Sequence, residues 1–158
     1  MIGLISLIPQ LANKILKPIL AAGGIDDGRT IKTALILDAE SVQVQTAFIG
    51  SDESAAIPAC KEALINAKDL DIILTKTFSG RWARTLKNTF ITEIEELGIE
   101  IPEYPIQGSL TLPIRIEAQR QNNKEFTNFL AGQCASKSAM KPAADIFIQL
   151  VKETEEIE

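Results

Sequence analysis

The apolar residues of the first 46 positions follow two spacings in turn. Between Ser6 and Leu16 they recur every three or four residues, which predicts an amphipathic helix. Ile19–Ala22 is a short continuous apolar run, typical of a strand buried on both faces of a parallel sheet. A second helical pattern covers Thr30–Leu37, and a second short strand is predicted at Ser41–Val44. This alternation of helices and strands predicts an α/β fold with parallel strands.

The pattern changes after Phe48. The elements predicted beyond it are a helix at 51–67, a β-rich stretch at 71–78, helices at 85–97 and 107–121, a short helix at 124–130 and an amphipathic helix at 141–157. Two parallel strands cannot close a barrel and do not make a stable sheet alone. We therefore expect part of a larger barrel, or a chain that associates through its strand edges with a second copy or a separate N-terminal half.

Composition narrows the class of protein. The chain has 158 residues, a net charge of −5 and 46% hydrophobic residues, which fits a globular domain and argues against nucleic-acid binding. It contains no apolar run long enough to span a membrane, so no membrane partner is expected. With only Cys60 and Cys134 and no histidine, a zinc framework is excluded, no metal is expected, and a reducing cytoplasm is favoured.

Two glycines follow the first predicted strand. Gly23 and Gly24 can leave backbone N–H groups facing a phosphate, and the helix that follows would direct its positive end to the same place. About 20 residues later, Gln45 and Thr46 end the second strand, where barrels commonly bind phosphate. The alternative is a plain turn that needs glycine for its backbone angles.

Three further positions carry candidate chemistry. The basic residues Arg81, Arg84 and Lys87 could contact an anion, or could be solvated residues at a helix start. Gln133, in Ala131-Gly-Gln, could hydrogen-bond a ligand carbonyl or simply follow the end of a helix. Cys134 has no histidine to activate it, so a thiol nucleophile is not expected.

In this order, these stretches resemble the nitronate monooxygenase family, long called 2-nitropropane dioxygenases. The resemblance runs from about Leu7 to about Val151. The stretches that carry it are AAGGIDDGRTIKTALILDAESVQVQTAFIGSDES, then LTKTFSGRWARTLKN, YPIQGSLTLPIR and LAGQ. The Gly-Gly-Ile turn is shared with related flavin enoyl reductases, whereas Ser79-Gly-Arg-Trp and Ala-Gly-Gln are typical of the nitronate branch.

The resemblance implies the C-terminal part of an FMN-binding TIM (β/α)₈ barrel with an inserted α+β substrate domain. Residues 1–47 would hold the last two βα units, with the seventh and eighth strands at Ile19–Ala22 and Ser41–Val44. Residues 48–123 would form the insert, and 124–158 would return to the barrel and its final helix.

The resemblance also implies a function, the FMN-dependent oxidation of alkyl nitronates by molecular oxygen. Gly23, Gly24, Gln45 and Thr46 would bind the FMN phosphate, and Gln133 would lie on the substrate side. The family's catalytic histidine would lie upstream of this chain, so no catalytic residue is assigned within it. The chain has Gln45 where the family usually has glycine, and that side chain would crowd the phosphate.

Two alternatives stay open at this point. The chain could be a catalytically inactive half-barrel that dimerises and binds FMN or another phosphate ligand. It could also be a relative of the flavin-dependent enoyl reductases.

Overall fold

The computed structural model describes residues 2–157, the side chain of Asp69 excepted. Within it the chain divides into two compact units. Unit 1 comprises Met1–Ser54 with Lys137–Glu158, and unit 2 comprises Ala55–Ser136. Unit 2 overlaps the predicted insert at 48–123, whose role as a substrate domain stays a prediction.

Unit 1 contains the alternating helices and strands of the N-terminal region together with the last helix. With numbering along the whole chain, its elements are α1 (Leu4–Ala12), β1 (Leu20–Ala22), α2 (Gly28–Ile36), β2 (Ser41–Gln43), α3 (Thr46–Ile49) and α7 (Ala143–Glu155). The predicted order of helix, strand, helix and strand is confirmed, and the long amphipathic pattern at the end forms α7.

The two strands of unit 1 pair in parallel, with Leu20 opposite Ser41 and Ala22 opposite Gln43. Only one face of this sheet is covered. Ala21 is 2% exposed, whereas Leu20 is 57% exposed on the other face. The expectation of burial on both faces is therefore wrong for the described residues, because helices pack on one side alone.

The core of unit 1 lies between that sheet face and its helices. Small and branched side chains fill it: Ile8, Ala21, Ile25, Ala34 and Ala39 in one cluster, and Ala47, Ile146 and Leu150 in the next. Ile31 and Val44 pack against both clusters and connect them. Burial of these residues fixes the position of β1 and β2 against the helices.

Gly28, the first residue of α2, permits a close approach to α7. A Cβ atom at this position would lie 2.4 Å from the carbonyl carbon and from the Cβ of Glu153. No other residue fits without separating the two helices.

Unit 2 is a mixed α and β structure. Its elements are α4 (Pro58–Ile65), β3 (Ile72–Thr75), β4 (Ala83–Leu86), α5 (Thr89–Glu96) and α6 (Ile106–Arg120), with short 3₁₀ turns at Asp69–Asp71 and Lys124–Phe126. A third 3₁₀ turn, Ala135–Lys137, lies where the chain passes from unit 2 to unit 1. β3 and β4 form an antiparallel pair, with Ile72 opposite Leu86 and Thr75 opposite Ala83. The sequence predicts both α6 and β3, with ends within a few residues of the observed ones.

The sequence prediction is wrong at three places in unit 2, and one of them is the short helix predicted at 124–130, of which only the 3₁₀ turn Lys124–Phe126 forms. Residues 83–86, read as a basic loop and the start of a helix, form β4. Here the buried Thr85 donates its hydroxyl to the Phe129 carbonyl at 2.7 Å. The helix starts at Thr89 instead, because Asn88 caps it by accepting a hydrogen bond from the Ile91 amide. The helix predicted at 51–67 is reduced to α4.

Among the described residues 2–157, none of the helices combines the length and the apolar character needed to cross a bilayer.

Candidate functional site

The carboxyl ends of β1 and β2 lie side by side in unit 1. Ala22 pairs with Gln43, so the segments that follow both strands leave the sheet at one edge. Gly23–Gly24 follows β1, and Gln45–Thr46 follows β2 after a single residue. The structure thus brings together the four residues expected to bind phosphate.

Gly23 and Gly24 have the backbone conformation that excludes most other residues. Their φ angles are +108° and +69°, and a Cβ added at either position would meet no atom within 4 Å. Both glycines are exposed. Within the described part of the chain, their amides donate none of the hydrogen bonds that join loops, caps and turns. The turn is therefore an open loop with amides available to a ligand.

The sequence predicts that the N-terminus of α2 faces the phosphate, but in the structure other groups already occupy this helix end. The Asp27 side chain caps the helix by accepting the Thr30 amide at 3.0 Å. The Glu153 carboxylate of α7 accepts the Gly28 amide, also at 3.0 Å. A hydrogen bond from Gln149 and this amide together lower the pKa of Glu153. Carboxylates of the chain itself therefore occupy the positive end of α2.

Cations compensate the acidic residues of this loop. Asp26 is buried, and the Lys137 ammonium lies 2.8 Å from its Oδ2, an ionic contact without hydrogen-bond alignment. Lys137 also bonds Asp27 at 3.2 Å, and Arg29 bonds the same carboxylate at 2.6 Å. Although burial alone would raise the pKa of Asp27, Arg29, the Thr30 amide and Lys137 hold it well below its usual range.

The second wall of the candidate site is the segment after β2. Gln45 is exposed and has a φ of −119°, an angle that any residue adopts. The backbone at this position therefore does not require glycine, the residue that is usual here in the family that the sequence resembles. Thr46 begins the single turn of α3. Its carbonyl accepts the hydroxyl of the buried Ser138 at 2.8 Å.

Gln133 belongs to unit 2. It is exposed in the turn that follows Ala131, and its place on the substrate side of a flavin stays a prediction.

The basic residues of unit 2 do not share one loop. Arg81 stacks on the Tyr104 ring at 4.1 Å, Arg84 lies within β4, and Lys87 is exposed after that strand. Trp82 is 62% exposed, with the Lys76 ammonium 5.2 Å from its ring centre.

Cys60 is a packing residue of unit 2. It is 1% exposed on α4, and burial raises its pKa to about 11. A thiolate nucleophile is therefore excluded at this position near neutral pH.

Comparison with known proteins assigns the chain to a family. The family model described as nitronate monooxygenase matches residues 2–153. The chain belongs to the nitronate monooxygenase family. A protein of Staphylococcus aureus named as a probable nitronate monooxygenase is 40% identical over 157 residues, which are 99% of this chain and 44% of that protein.

Solved structures agree with this family. The nitroalkane oxidase of Streptomyces ansochromogenes is 34% identical and superposes with a TM-score of 0.90 over 98% of this chain and 44% of its own. FabK from Thermotoga maritima is 32% identical, with a TM-score of 0.82 over 99% of this chain and 50% of its own. The chain thus spans less than half the length of the curated relatives it matches, and its fold is part of a TIM-type barrel.

Sequence reasoning missed Lys137 and Ser138. Both lie in a stretch that reads as a polar linker, and their contacts join residues about 90 to 110 positions apart in the chain. No local pattern reports such contacts. The need for Lys137 becomes visible only in the structure, where Asp26 is buried and its carboxylate requires a cation.

Proposed function

We propose that the chain forms the phosphate-binding part of an FMN site in a nitronate monooxygenase, which oxidises alkyl nitronates with molecular oxygen. The observation that carries this proposal is the parallel pairing of β1 with β2, since it sets Gly23–Gly24 beside Gln45–Thr46. Membership of the family supports the assignment of the ligand and of the reaction.

The residues at this edge fit a phosphate group. The two glycines offer unused amides in open space, and neighbouring parallel strand ends are where barrels commonly bind phosphates. Asp26 and Asp27 would repel an anion, but Lys137 and Arg29 neutralise them. The fit relies on the loop amides and excludes the N-terminus of α2, which carboxylates of the chain already occupy.

Within this proposal each residue has a limited task. Gly23 and Gly24 donate amides to the phosphate from one strand end, Gln45 and Thr46 contact it from the other, and Gln133 lies on the substrate side. FMN, when bound, supplies the redox chemistry. Because the chain contains no histidine, proton transfer by histidine has to come from residues outside it.

Binding of FMN is the first test. The purified chain, alone or mixed with the N-terminal half of a relative, should take up FMN, measured by quenching of flavin fluorescence. Gln45→Gly and Gln45→Ala should both bind more tightly, because each removes a side chain next to the phosphate. Unchanged or weaker FMN affinity of both variants would refute crowding by Gln45, and no FMN uptake under either condition would refute the flavin site.

Oxygen consumption with propionate 3-nitronate tests the reaction. We expect turnover only when the N-terminal half is supplied. FMN binding without turnover in that mixture would favour the inactive half-barrel.

A second candidate function is flavin-dependent enoyl reduction, which the likeness to FabK supports. Reduction of an enoyl thioester by the same mixture, with no oxygen uptake on the nitronate, would favour it. The higher TM-score of the nitroalkane oxidase favours the nitronate reaction.

A further inference from the structure

Lys137 and Ser138 contact both walls of the candidate phosphate site. They are the first two residues of the C-terminal part of unit 1. Lys137 forms ion pairs with Asp26 and Asp27 in the loop after β1. The next residue, Ser138, donates its hydroxyl to the Thr46 carbonyl after β2. Two consecutive residues thus hold two loops that the chain itself separates by about twenty positions.

The first of these contacts satisfies a buried charge. The Asp26 side chain is 4% exposed, and among the described residues the only cation paired with it is Lys137. A buried carboxylate that loses its cation becomes uncompensated and destabilises the conformation that buries it. Arg29, which pairs with Asp27, does not replace this contact.

The same contact changes the charge that an incoming phosphate would meet. Asp26 and Asp27 together carry two negative charges within three residues of Gly24. Lys137 removes part of that repulsion at a separation where Coulomb interactions are strong. The lysine therefore has both a structural and an electrostatic effect on the loop.

The second contact is a hydrogen bond between uncharged groups. Ser138 is 6% exposed, so its bond to Thr46 is protected from water. One residue further, a Cβ at Gly50 would lie 2.8 Å from the Ala139 carbonyl, so this segment packs tightly along the end of α3. The Ser138 bond fixes the first turn of α3 against that segment.

We propose that Lys137 and Ser138 are positioning residues that clamp the loop after β1 and the loop after β2 into one phosphate site. This proposal rests on the proposed function for its ligand. The clamp itself is a property of the ligand-free chain.

Hydrogen exchange of the ligand-free chain tests the clamp directly. Within residues 26–30, the amides of Asp26 and Asp27 donate to Thr30, that of Gly28 to Glu153 and that of Thr30 to Asp27. Lys137→Met should accelerate exchange about tenfold at these amides. Ser138→Ala should accelerate it at residues 46–51 and leave residues 26–30 unchanged. Lys152→Met is the matched control, because it removes an equal charge from an exposed pair on α7.

FMN affinity provides the second measurement. Lys137→Met should weaken binding about tenfold at a temperature where the variant is fully folded. Lys137→Arg should retain most of the affinity, and Asp26→Asn combined with Lys137→Met should recover it in part, because the unpaired charge is gone. A purely structural lysine would change the melting temperature without this pattern of rescue.

Particular results would overturn the proposal. If the amides of residues 26–30 exchange in Lys137→Met at the same rate as in the wild type, the lysine does not hold the loop. Equal loss of FMN affinity in Lys137→Met and Lys152→Met would show an effect of net charge alone. If the wild-type chain binds no FMN, the proposed function fails, and the exchange measurement still decides whether the clamp exists.

Discussion

At the scale of single residues, the glycines of unit 1 have two different requirements. Gly24 needs a positive φ angle in open space, whereas Gly28 needs the absence of a Cβ because α7 lies too close. Gly3 has neither requirement, because its φ is −75° and a Cβ added there would meet no atom within 4 Å. Glycine therefore serves the loop in one case and helix packing in the other.

Alanine substitutions should separate these requirements. Gly24→Ala should cost about 1–2 kcal/mol of unfolding free energy through backbone strain. Gly28→Ala should cost about 1–3 kcal/mol through overpacking of α2 against α7. Gly108→Ala is the matched control, because Gly108 lies inside α6 and an added Cβ would come no closer than 4.0 Å to another atom; it should be neutral or slightly stabilising. Urea titrations measure all three, and equal destabilisation by Gly108→Ala and Gly24→Ala would contradict the requirement for positive φ.

At the scale of elements, α5 is defined by the side chains at its N-terminus. Asn88 accepts the Ile91 amide and donates to the carbonyls of Lys124 and Thr127, at 3.1 and 3.0 Å. Glu125 accepts the amide and the hydroxyl of Thr89, at 2.9 and 2.7 Å. These bonds join the start of α5 to the 3₁₀ turn at Lys124–Phe126, which explains why the helix begins after Asn88 rather than at Thr85.

The carboxylate of Glu125 should make unit 2 sensitive to acid. Hydrogen bonds from Lys124 and then Thr89 lower its pKa to about 2. Since the folded value lies below the ordinary one of 4.5, the stabilisation is complete above about pH 5 and is lost as the pH falls towards 2.

Glu125→Gln should reduce the unfolding free energy by about 1 kcal/mol at pH 7, a figure discounted for partial exposure. The difference from the wild type should shrink towards pH 2. Denaturant titrations of both proteins between pH 2 and 7 test this, with Glu117→Gln as a control for an exposed ion pair on α6. A difference that stays constant over this range would contradict the assignment.

At the scale of the whole molecule, the sheet of unit 1 presents an uncovered face. Leu20, Ala22, Ser41 and Gln43 lie on it and are exposed. Among residues 2–157, β1 pairs only with β2, so both outer strand edges lack a neighbouring strand. Such edges and faces favour association with another chain.

We expect the isolated chain to associate, and light scattering after size-exclusion chromatography should report a mass above that of one chain. Leu20→Lys should lower that mass by placing a charge on the uncovered face. Leu97→Lys, at an exposed position of unit 2, is the control and should leave it unchanged. A folded monomer at high concentration would show that the face is stable in water.

Two features of unit 1 follow from the sequence alone, namely the alternation of its elements and the position of the candidate site along the chain. Local signals are sufficient there: apolar spacing identifies α2 and α7, and consecutive glycines after a strand identify the open turn. The charged side chains near that turn are set by long-range packing. Glu153 reaches the Gly28 amide and Lys137 reaches Asp26 across more than 100 residues. Contacts of this range depend on how the helices pack, so they leave no periodic trace in the sequence. For the same reason the sequence does not predict β4 and places its last two residues in a helix, because the pairing with β3 and the bond from Thr85 to Phe129 outweigh local propensity.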